Sequence, residues 1–272
     1  MSHHAGTFLA RITDDRRRRL AEMKLETPPH RLRARLGPAR ENGRLERALR
    51  RGGERQPLRL LCEIKRASPS KGLLNEALDP VAMARLYEAG GAAAISIVTE
   101  PDHFRGELEW IDRVRPVTTL PLLLKDFVID SYQLLDAAVR GADGVLLLAT
   151  LLSETELQRL IGEAKRLGLD PLVEVHSEVE LHAALRSGAT IVGVNHRDLR
   201  TFELDMTLAE RLLPLVPPMV TAIAESGLSK PSDLARLRST RCDAVLMGEV
   251  FATSPDPAAT LAGLAAAARG AS

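Results

Sequence analysis

Six polar residues stand at the ends of short apolar segments, where their side chains are placed to act as acids, bases or ligands. They are Glu63, Lys65, Lys125, Glu174, Asn195 and Glu225. Carboxylates and lysine amines placed together are groups that proteins use for acid–base catalysis and anion binding. One Glu–Lys pair is also compatible with an ion pair that fills a protein interior, and that alternative stays open. Six such residues on five segments exceed what filling requires.

Lysine is rare in this chain, so the positions of the few lysines are informative. There are six lysines against 31 arginines, and Lys65, Lys71 and Lys125 fall in or beside the polar set. Lysine differs from arginine in its compact charge and its readily shifted pKa. Lysines kept at these positions therefore suggest that a titratable amine or a compact charge is needed.

The apolar segments recur at regular intervals and predict the strands that position these residues. They are Leu58–Lys65, Ala93–Val98, Leu122–Lys125, Gly144–Leu148, Leu172–Val175, Ile191–Asn195, Val220–Glu225 and Ala244–Met247. Between them lie stretches with helical spacing, such as Pro80–Ala89 and Ser131–Arg140. Eight βα units in series predict an α/β protein of the (β/α)8 TIM-barrel type. An open doubly wound sheet is disfavoured because no G-x-G-x-x-G follows any strand.

Strand alternation predicts where the charges of the first strand point. Glu63 and Lys65 share one face, whereas Cys62 and Ile64 share the other. An ionised group on the face that packs on helices would be buried at high cost. We therefore expect Glu63 and Lys65 to point into the barrel mouth, the end at which barrel enzymes place their chemistry.

Two small-residue pairs, Ser226-Gly227 and Gly248-Glu249, follow the seventh and eighth predicted strands. Small residues let backbone N–H groups approach an anion, and a helix that begins there adds its positive end. Glycine in a simple turn gives the same pattern, so that alternative stays open. Because these two loops bind phosphate in many barrels, phosphate binding is our interpretation.

Length and composition bound the class of protein. The 272 residues fit one barrel of about 250 residues. The net charge of +1 and the aromatic content of 3% argue against nucleic acid or an anionic membrane as partner. Cys62 and Cys242 lie far apart and outside any metal-ligand spacing. With no membrane-spanning apolar run and no signal peptide in Met1–Gly6, we expect a cytoplasmic protein with a small-molecule partner, and a monomer is compatible with the sequence.

The segment before the first strand is predicted to be helical and contains no apolar strand segment. Thr7–Lys24 is predicted to form an amphipathic helix whose Arg16–Arg19 run lies in water. Leu45–Leu49 is predicted to form a short helix before Gly52-Gly53. We predict one barrel domain, 1–272, of which 1–56 is a helical extension.

Five segments resemble the motifs of the indole-3-glycerol-phosphate synthase family. They are Glu63-Ile-Lys-Arg-Ala-Ser-Pro-Ser-Lys-Gly72, Leu124-Lys-Asp-Phe-Val128, Leu172-Val-Glu-Val-His176, Gly193-Val-Asn-His-Arg-Asp-Leu199 and Ala224-Glu-Ser-Gly227. A sixth segment, from Ser96 to Gly106, is similar to the family's second βα loop. The motifs occur in family order on the predicted strands and cover nearly the whole chain. The resemblance implies that the N-terminal extension covers the barrel mouth.

The resemblance implies a carboxy-lyase of tryptophan biosynthesis that closes 1-(2-carboxyphenylamino)-1-deoxyribulose 5-phosphate into indole-3-glycerol phosphate. The reaction releases CO2 and water and needs neither metal nor organic cofactor. Lys125 is implied as the general acid of ring closure, and Lys65 as the ligand of the substrate carboxylate and a second candidate proton donor. Glu174 is implied as acid or base in dehydration. Glu63 and Asn195 would orient the lysines and the sugar hydroxyls.

The remaining residues implied by the resemblance bind the ends of the substrate or support the rim. They are Ser68 and Arg197 near the carboxylate, Phe104, Phe127 and Leu146 around the anthranilate ring, Ser226, Gly227, Gly248 and Glu249 at the phosphate, and Glu225 as rim support.

The sequence departs from the family pattern at two positions. Val250 stiffens the phosphate turn, and His103 stands where a second aromatic residue is frequent.

Other barrel functions stay open at this point. A phosphoribosylanthranilate isomerase would need an acid–base pair without the Lys65–Lys125 arrangement. A Schiff-base aldolase would need one desolvated, uncharged lysine. A non-catalytic or specificity-altered barrel that binds a phosphorylated ligand is the alternative from another class. A non-catalytic barrel predicts the loss of at least one of Glu63, Lys65, Lys125 and Glu174, and all four are present.

Overall fold

The computed structural model of this chain describes residues 8–38, 41–53 and 55–270. Its strands are β1 (Arg59–Ile64), β2 (Ala67–Ser68), β3 (Gly72–Leu73), β4 (Ala94–Val98), β5 (Leu122–Lys125), β6 (Gly144–Leu148), β7 (Asp170–Val175), β8 (Ile191–Asn195), β9 (Thr221–Glu225) and β10 (Ala244–Met247). Strands β2 and β3 form a small antiparallel pair, and the other eight close into a parallel barrel in the order β1-β10-β9-β8-β7-β6-β5-β4. The predicted (β/α)8 TIM barrel is confirmed.

Each barrel strand is followed by a helix before the next barrel strand begins. The helices are α1 (Phe8–Glu26), α2 (Pro29–Arg33), α3 (Arg44–Leu49), α4 (Pro80–Ala89), α5 (Glu109–Val114), α6 (Ser131–Arg140), α7 (Glu154–Arg166), α8 (Glu178–Arg186), α9 (Leu208–Leu212), α10 (Pro231–Arg238), α11 (Glu249–Ala252) and α12 (Pro257–Arg269). The two helices predicted by name after the first and third strands match α4 and α6 residue for residue. In the described part of the chain, no helix is both long and apolar enough to cross a membrane.

The barrel strands are buried on both faces, and for this reason their sequences are continuous apolar runs. On β1, Cys62 and Ile64 belong to the apolar cluster between the strands and the helices. Leu61 belongs to a smaller cluster inside the barrel. Because Glu63 alternates with Cys62 and Ile64, its carboxylate also points inward, and the predicted orientation is confirmed.

The N-terminal extension serves both ends of the barrel. Helix α1 lies at the mouth, where Phe8 meets the rings of His103 and Phe202 edge-on at centroid distances of 5.1 and 5.0 Å. Helix α3 lies at the opposite end, where Leu45 packs inside the barrel against Gly144, the first residue of β6. The prediction that the extension covers the mouth therefore holds for α1, whereas α3 plugs the bottom.

The arginine run on α1 is only partly in water, contrary to our expectation. Arg17 and Arg18 are exposed, but Arg16 is buried and forms an ion pair with Asp126, which follows β5. Thr99 also donates a hydrogen bond to Asp126, at 2.8 Å. A buried arginine needs such a partner to offset its desolvation, and the pair fixes α1 to the loop beside Lys125.

Candidate active site

A cavity with about 930 Å3 of empty space opens at the C-terminal end of the barrel. It is lined by the predicted residues Glu63, Lys65, Ser68, Phe104, Lys125, Phe127, Leu146, Glu174, Asn195, Arg197, Ser226, Gly227, Gly248 and Glu249. Glu225 is fully buried against Lys125 and is not among the residues that line the cavity. The structure thus brings all the predicted site residues to one end of the barrel, with Glu225 as a support below the surface.

The amine of Lys125 lies at the centre of three carboxylates. Its Nζ is 2.8 Å from Glu225 Oε2, 3.3 Å from Glu174 Oε2 and 3.9 Å from Glu63 Oε2. Lys65 Nζ lies 2.7 Å from Glu63 Oε1. Barrel closure brings these groups together from β1, β5, β7 and β9 and the residue after β1. The cluster holds three carboxyl groups and two amines. If all five were ionised, its net charge would be −1.

Burial and neighbouring charges set the protonation of this cluster. Burial lowers the pKa of Lys125, but the three carboxylates outweigh it and raise the pKa above the usual lysine value. Burial raises the pKa of Glu174, but Lys125 and His176 outweigh it and lower the pKa below the usual range. Burial and the repulsion of Glu174 and Glu63 raise the pKa of Glu225 to about 7, although Lys125 opposes the shift. Lys125 therefore carries a proton to donate, and Glu225 takes up a proton more readily than Glu174 does.

Two glycines make room for the carboxylates. A Cβ atom on Gly193 would lie 1.9 Å from Glu225 Oε1, and one on Gly248 would lie 2.5 Å from Glu63 Oε1. Real Cβ atoms do not approach oxygen this closely, so any other residue would displace the acidic groups. The motif glycine on β8 is therefore required by the charge cluster rather than by a turn.

Asn195, at the end of β8, connects the cluster to the following loop. Its Nδ2 donates to Glu174 Oε1 at 2.9 Å, and its Oδ1 accepts from the backbone N–H of Arg197 at 3.0 Å. The Arg197 guanidinium donates to the Phe202 carbonyl at 3.0 Å. These bonds hold Glu174 in one orientation and set Arg197 at the cavity wall.

Ser68 lies in the β2–β3 hairpin that follows β1. Its hydroxyl oxygen is buried, lines the cavity and has no hydrogen-bond partner among the described residues. A buried hydroxyl without a partner is costly, so it is available to a bound ligand. Lys71, which the sequence also singles out, is exposed in the same hairpin and does not line the cavity.

An apolar wall faces the lysines. The rings of Phe104 and Phe127 lie 6.2 Å apart at an interplanar angle of 45°, with Leu146 beside them in the cavity lining. The loop carrying Phe104 is held by Glu100, whose carboxylate accepts the backbone N–H groups of His103 and Phe104 at 2.7 and 2.9 Å. Glu100 was not predicted as a site residue; it lies two residues after the end of β4.

The predicted phosphate end is formed by two loops with small residues. Ser226 and Gly227 both have left-handed backbones, with φ of 67° and 72°. His196 Nδ1 lies 2.9 Å from the Ser226 carbonyl and holds this turn. Helix α11 begins at Glu249, and Gly248 and Glu249 both line the cavity. The N–H groups of Glu249 and Val250 have no acceptor within this short helix. Among the described residues, no group of His, Cys, Asp and Glu is arranged to hold a metal ion.

The family model described as indole-3-glycerol phosphate synthase matches residues 9–264. This match spans the extension, every barrel strand and every residue of the charge cluster. The chain belongs to the indole-3-glycerol phosphate synthase family. The resemblance drawn from the sequence motifs is confirmed.

Curated members of the indole-3-glycerol phosphate synthase family are close in sequence. The protein of that name from Campylobacter hominis is 50% identical over 201 residues, covering 74% of this chain and 77% of the relative. The one from Sulfurimonas denitrificans is 45% identical over 205 residues, covering 75% and 78%. Such identity over most of both chains supports the same fold and the same arrangement of motif residues.

Solved structures with much lower sequence identity share the barrel. They include 3-hexulose-6-phosphate synthase from Salmonella typhimurium, with a TM-score of 0.63, 14% identity and coverage of 79% of this chain and 100% of that one. Thiamine phosphate pyrophosphorylase from Pyrococcus furiosus gives a TM-score of 0.62 at 17% identity, covering 80% and 99%. At these identities the likeness concerns the fold alone.

The two departures from the family pattern lie beside the site. Val250 is half-buried within α11, after the two backbone positions predicted to hold phosphate. His103 packs against Phe8 of α1 and lies with its Nε2 3.7 Å from Asp15 Oδ2. In this member of the indole-3-glycerol phosphate synthase family, His103 thus links the second βα loop to the N-terminal helix.

Proposed function

We propose that this chain closes 1-(2-carboxyphenylamino)-1-deoxyribulose 5-phosphate into indole-3-glycerol phosphate, the reaction of its family. The supporting observation is that two lysine amines, each paired with inner carboxylates, stand opposite an aromatic wall in one cavity. The small-residue loops after β9 and β10 provide an anion-binding end. Acid–base chemistry on an aromatic, phosphorylated substrate needs these three parts together.

Lys125 is the proposed general acid of ring closure. Attack of the ring carbon on the substrate ketone breaks aromaticity and places negative charge on the ketone oxygen. The carboxylates keep Lys125 protonated, so it can transfer a proton to that oxygen as the new bond forms. The ring carbon that made the attack bears the carboxylate; its C–C bond to the carboxylate then breaks, CO2 leaves, and the electron pair of that bond returns to the ring system.

Lys65 is proposed to bind the carboxylate that departs as CO2, together with Ser68 and Arg197. The Lys65 amine is held by Glu63 at 2.7 Å, which keeps it extended toward the cavity. The unpartnered Ser68 hydroxyl is a hydrogen-bond donor within the same cavity lining. Lys65 is also the second candidate proton donor for the hydroxyl that leaves in dehydration.

Glu174 is proposed to move a proton during dehydration. Its low pKa keeps it ionised, so it acts as the base that accepts a proton from the ring precursor while a hydroxyl leaves as water. Asn195 and Glu63 orient the reacting groups. Phe104, Phe127 and Leu146 hold the anthranilate ring, and backbone N–H groups at Ser226, Gly227, Gly248 and Glu249 hold the phosphate. Glu225 supports Lys125 from below.

The domain and cellular context are also proposed here. We propose one domain over 1–272, with 1–56 as its extension, since α1 and α3 both pack on the same barrel. A cytoplasmic location is in keeping with Cys62 and Cys242, which are both buried and unpaired. We also predict a monomer that acts on a small-molecule substrate and has no nucleic-acid or membrane partner. Sedimentation velocity tests whether the protein is a monomer.

The proposed function is tested by incubating the purified, chelator-treated protein with the carboxyphenylamino-deoxyribulose phosphate and following indole fluorescence. Growth of indole-3-glycerol phosphate, with one equivalent of CO2 released, is the expected outcome. Absence of product with tight retention of the substrate would instead establish a phosphate-binding barrel of altered specificity. Chelator treatment tests the prediction that no metal is needed, and leaving every organic cofactor out of the assay tests the other part.

A further inference from the structure

His176 lies just outside the charge cluster, between two carboxylates. Its Nε2 is 3.3 Å from Glu174 Oε1, and its Nδ1 is 3.3 Å from Glu180 Oε2 on α8. The backbone N–H of His176 donates to the same Glu180 oxygen at 2.7 Å. The His176 side chain is only 9% exposed. It therefore bridges the proposed active site and the first turn of a surrounding helix.

The two nearby carboxylates favour a positive charge on this ring, although Nε2 lies near Glu174 without forming a hydrogen bond of standard geometry. A neutral imidazole has one N–H and one lone pair, so one nitrogen would present its lone pair to a carboxylate oxygen. An imidazolium presents an N–H to each carboxylate. Burial lowers the pKa of His176, but Glu174 and Glu180 outweigh it and raise the pKa to about 10. Each of these carboxylates also has a second cation near it. Lys125 on β5 forms an ion pair with Glu174, and Arg200, in the loop after β8, interacts electrostatically with Glu180.

The two oxygens of Glu174 have different surroundings. Oε1 accepts from Asn195 Nδ2 at 2.9 Å and lies 3.3 Å from His176 Nε2, on the side away from the amine. Oε2 lies 3.3 Å from Lys125 Nζ. One oxygen is therefore held by the protein scaffold, and the other is directed at the proposed general acid.

We propose that His176, as an imidazolium anchored by Glu180, is a positioning residue that keeps Glu174 ionised and its Oε2 directed at the reaction. This inference rests on the proposed function, because it assigns a partner to the proposed base. Its consequence concerns the moment after ring closure. Once Lys125 has given up its proton, Glu174 loses a neighbouring cation, and His176 is the cation that keeps it ready to accept a proton in dehydration.

The same chain offers a matched control. His182 and Glu178 on α8 form a pair with the same i,i+4 spacing as His176 and Glu180, with 3.5 Å between His182 Nε2 and Glu178 Oε1. Their side chains are 51% and 63% exposed, and neither lines the cavity. A surface pair of this kind contributes little, so His182→Gln should leave both turnover and its pH profile unchanged.

The kinetic experiment measures kcat and KM against pH for wild type, His176→Gln, Glu180→Gln and His182→Gln. For His176→Gln we expect kcat to fall about 10- to 100-fold, as for partners that orient metal ligands, with KM changed less than about threefold. The acid limb of its kcat profile should move up by about one pH unit, since loss of a nearby cation raises the pKa of a carboxylate. Glu180→Gln should shift the limb in the same direction by a smaller amount. A fall in kcat with an unmoved acid limb in His176→Gln would overturn the proposal.

A second measurement does not depend on turnover. Nitrogen-15 NMR of the imidazole rings in the intact protein, assigned by comparison with His176→Gln, should show His176 doubly protonated at pH 8. A neutral His176 ring at pH 8 would overturn the proposal, even if His176→Gln fails to fold. If wild type makes no product, the proposed function fails, and this titration still decides whether the His176 bridge carries the stated charge.

Discussion

The two ends of the barrel both bury acidic side chains, but they do so in different ways. At the bottom, Asp170 accepts the backbone N–H groups of Gly43, Leu45 and Glu46 at 2.7, 2.8 and 3.2 Å. At the mouth, Glu63, Glu174 and Glu225 meet lysine amines instead. Glu225 Oε1 has no hydrogen-bond partner among the described residues.

The remaining acidic residues at the bottom repeat the pattern of Asp170. Asp143 pairs with Arg44 and Arg115 and accepts from the Leu122 N–H, at distances of 2.7 to 2.9 Å. Backbone donors and arginines cannot give up a proton at ordinary pH, so they make a fixed structure. Amines that can titrate, beside polar atoms without partners, are costly for stability and useful for chemistry. The contrast separates a structural end from a reactive end.

The largest effect expected is from Lys125→Ala at the mouth. Loss of the general acid should lower kcat for ring closure by about 10³-fold or more, because Lys125 is the proposed proton donor to the ketone oxygen. Binding of phosphate-containing substrate should stay within a fewfold, as measured by calorimetry. Lys71→Ala is the matched control, since Lys71 is an exposed lysine outside the cavity. Turnover of Lys125→Ala within tenfold of wild type would contradict the assignment.

Asp170→Ala tests the opposite end. The change removes the acceptor of three backbone N–H groups at the start of α3, and should lower the free energy of unfolding by about 3 kcal/mol. Urea unfolding measures this change, and kcat/KM should remain within about twofold of wild type. Glu178→Ala, at an exposed carboxylate, is the control. Loss of activity in folded Asp170→Ala would show that the bottom contributes to the chemistry and would break the comparison.

The barrel and its rim could be predicted because they depend on short-range patterns. Each parallel strand is a continuous apolar run, and alternation along β1 is enough to place Glu63 on the inner face. The polar residue at each strand end then fell on a common rim because barrel closure brings all strand ends together. These features need only neighbours along the chain and the symmetry of the fold.

The features that escaped prediction depend on partners distant in sequence. Arg16 is buried by Asp126, a residue 110 positions away, and nothing near Arg16 distinguishes it from the exposed Arg17 and Arg18. The bottom plug depends on Asp170, which a strand pattern treats as the residue before an apolar run. The role proposed for His176 depends on its contact with Glu180, which forms only once α8 is in place. Long-range pairing of charges cannot be read from local periodicity.

Gly193→Ala sharpens the comparison by disturbing the mouth without changing a charge. The added methyl would lie 1.9 Å from Glu225 Oε1 and would displace that carboxylate from Lys125. We expect destabilisation of about 1–3 kcal/mol by overpacking, with a lower kcat as Lys125 loses its support. Gly263→Ala in α12 is the matched control, because a Cβ there meets no atom within 4 Å. That control should be neutral or more stable by up to about 1 kcal/mol.

The smallest expected effect is a pH dependence that belongs to Glu225. Its pKa is raised to about 7 by burial and by the neighbouring carboxylates, so the folded state holds a proton that the unfolded chain releases above its ordinary value of 4.5. Stability from this proton is therefore present at low pH and is lost as pH rises from 4.5 through 7.

Glu225→Gln removes that proton and its pH dependence. The melting temperature of Glu225→Gln relative to wild type should therefore rise between pH 5 and pH 8, as measured by calorimetry in matched buffers. The raised pKa of His176 affects both proteins equally and cancels in the difference. Glu178→Gln, at an exposed carboxylate, should show no such trend. A constant or falling difference would mean that Glu225 is already ionised at pH 5, and that the mouth, like the bottom, holds its acidic groups as fixed charges.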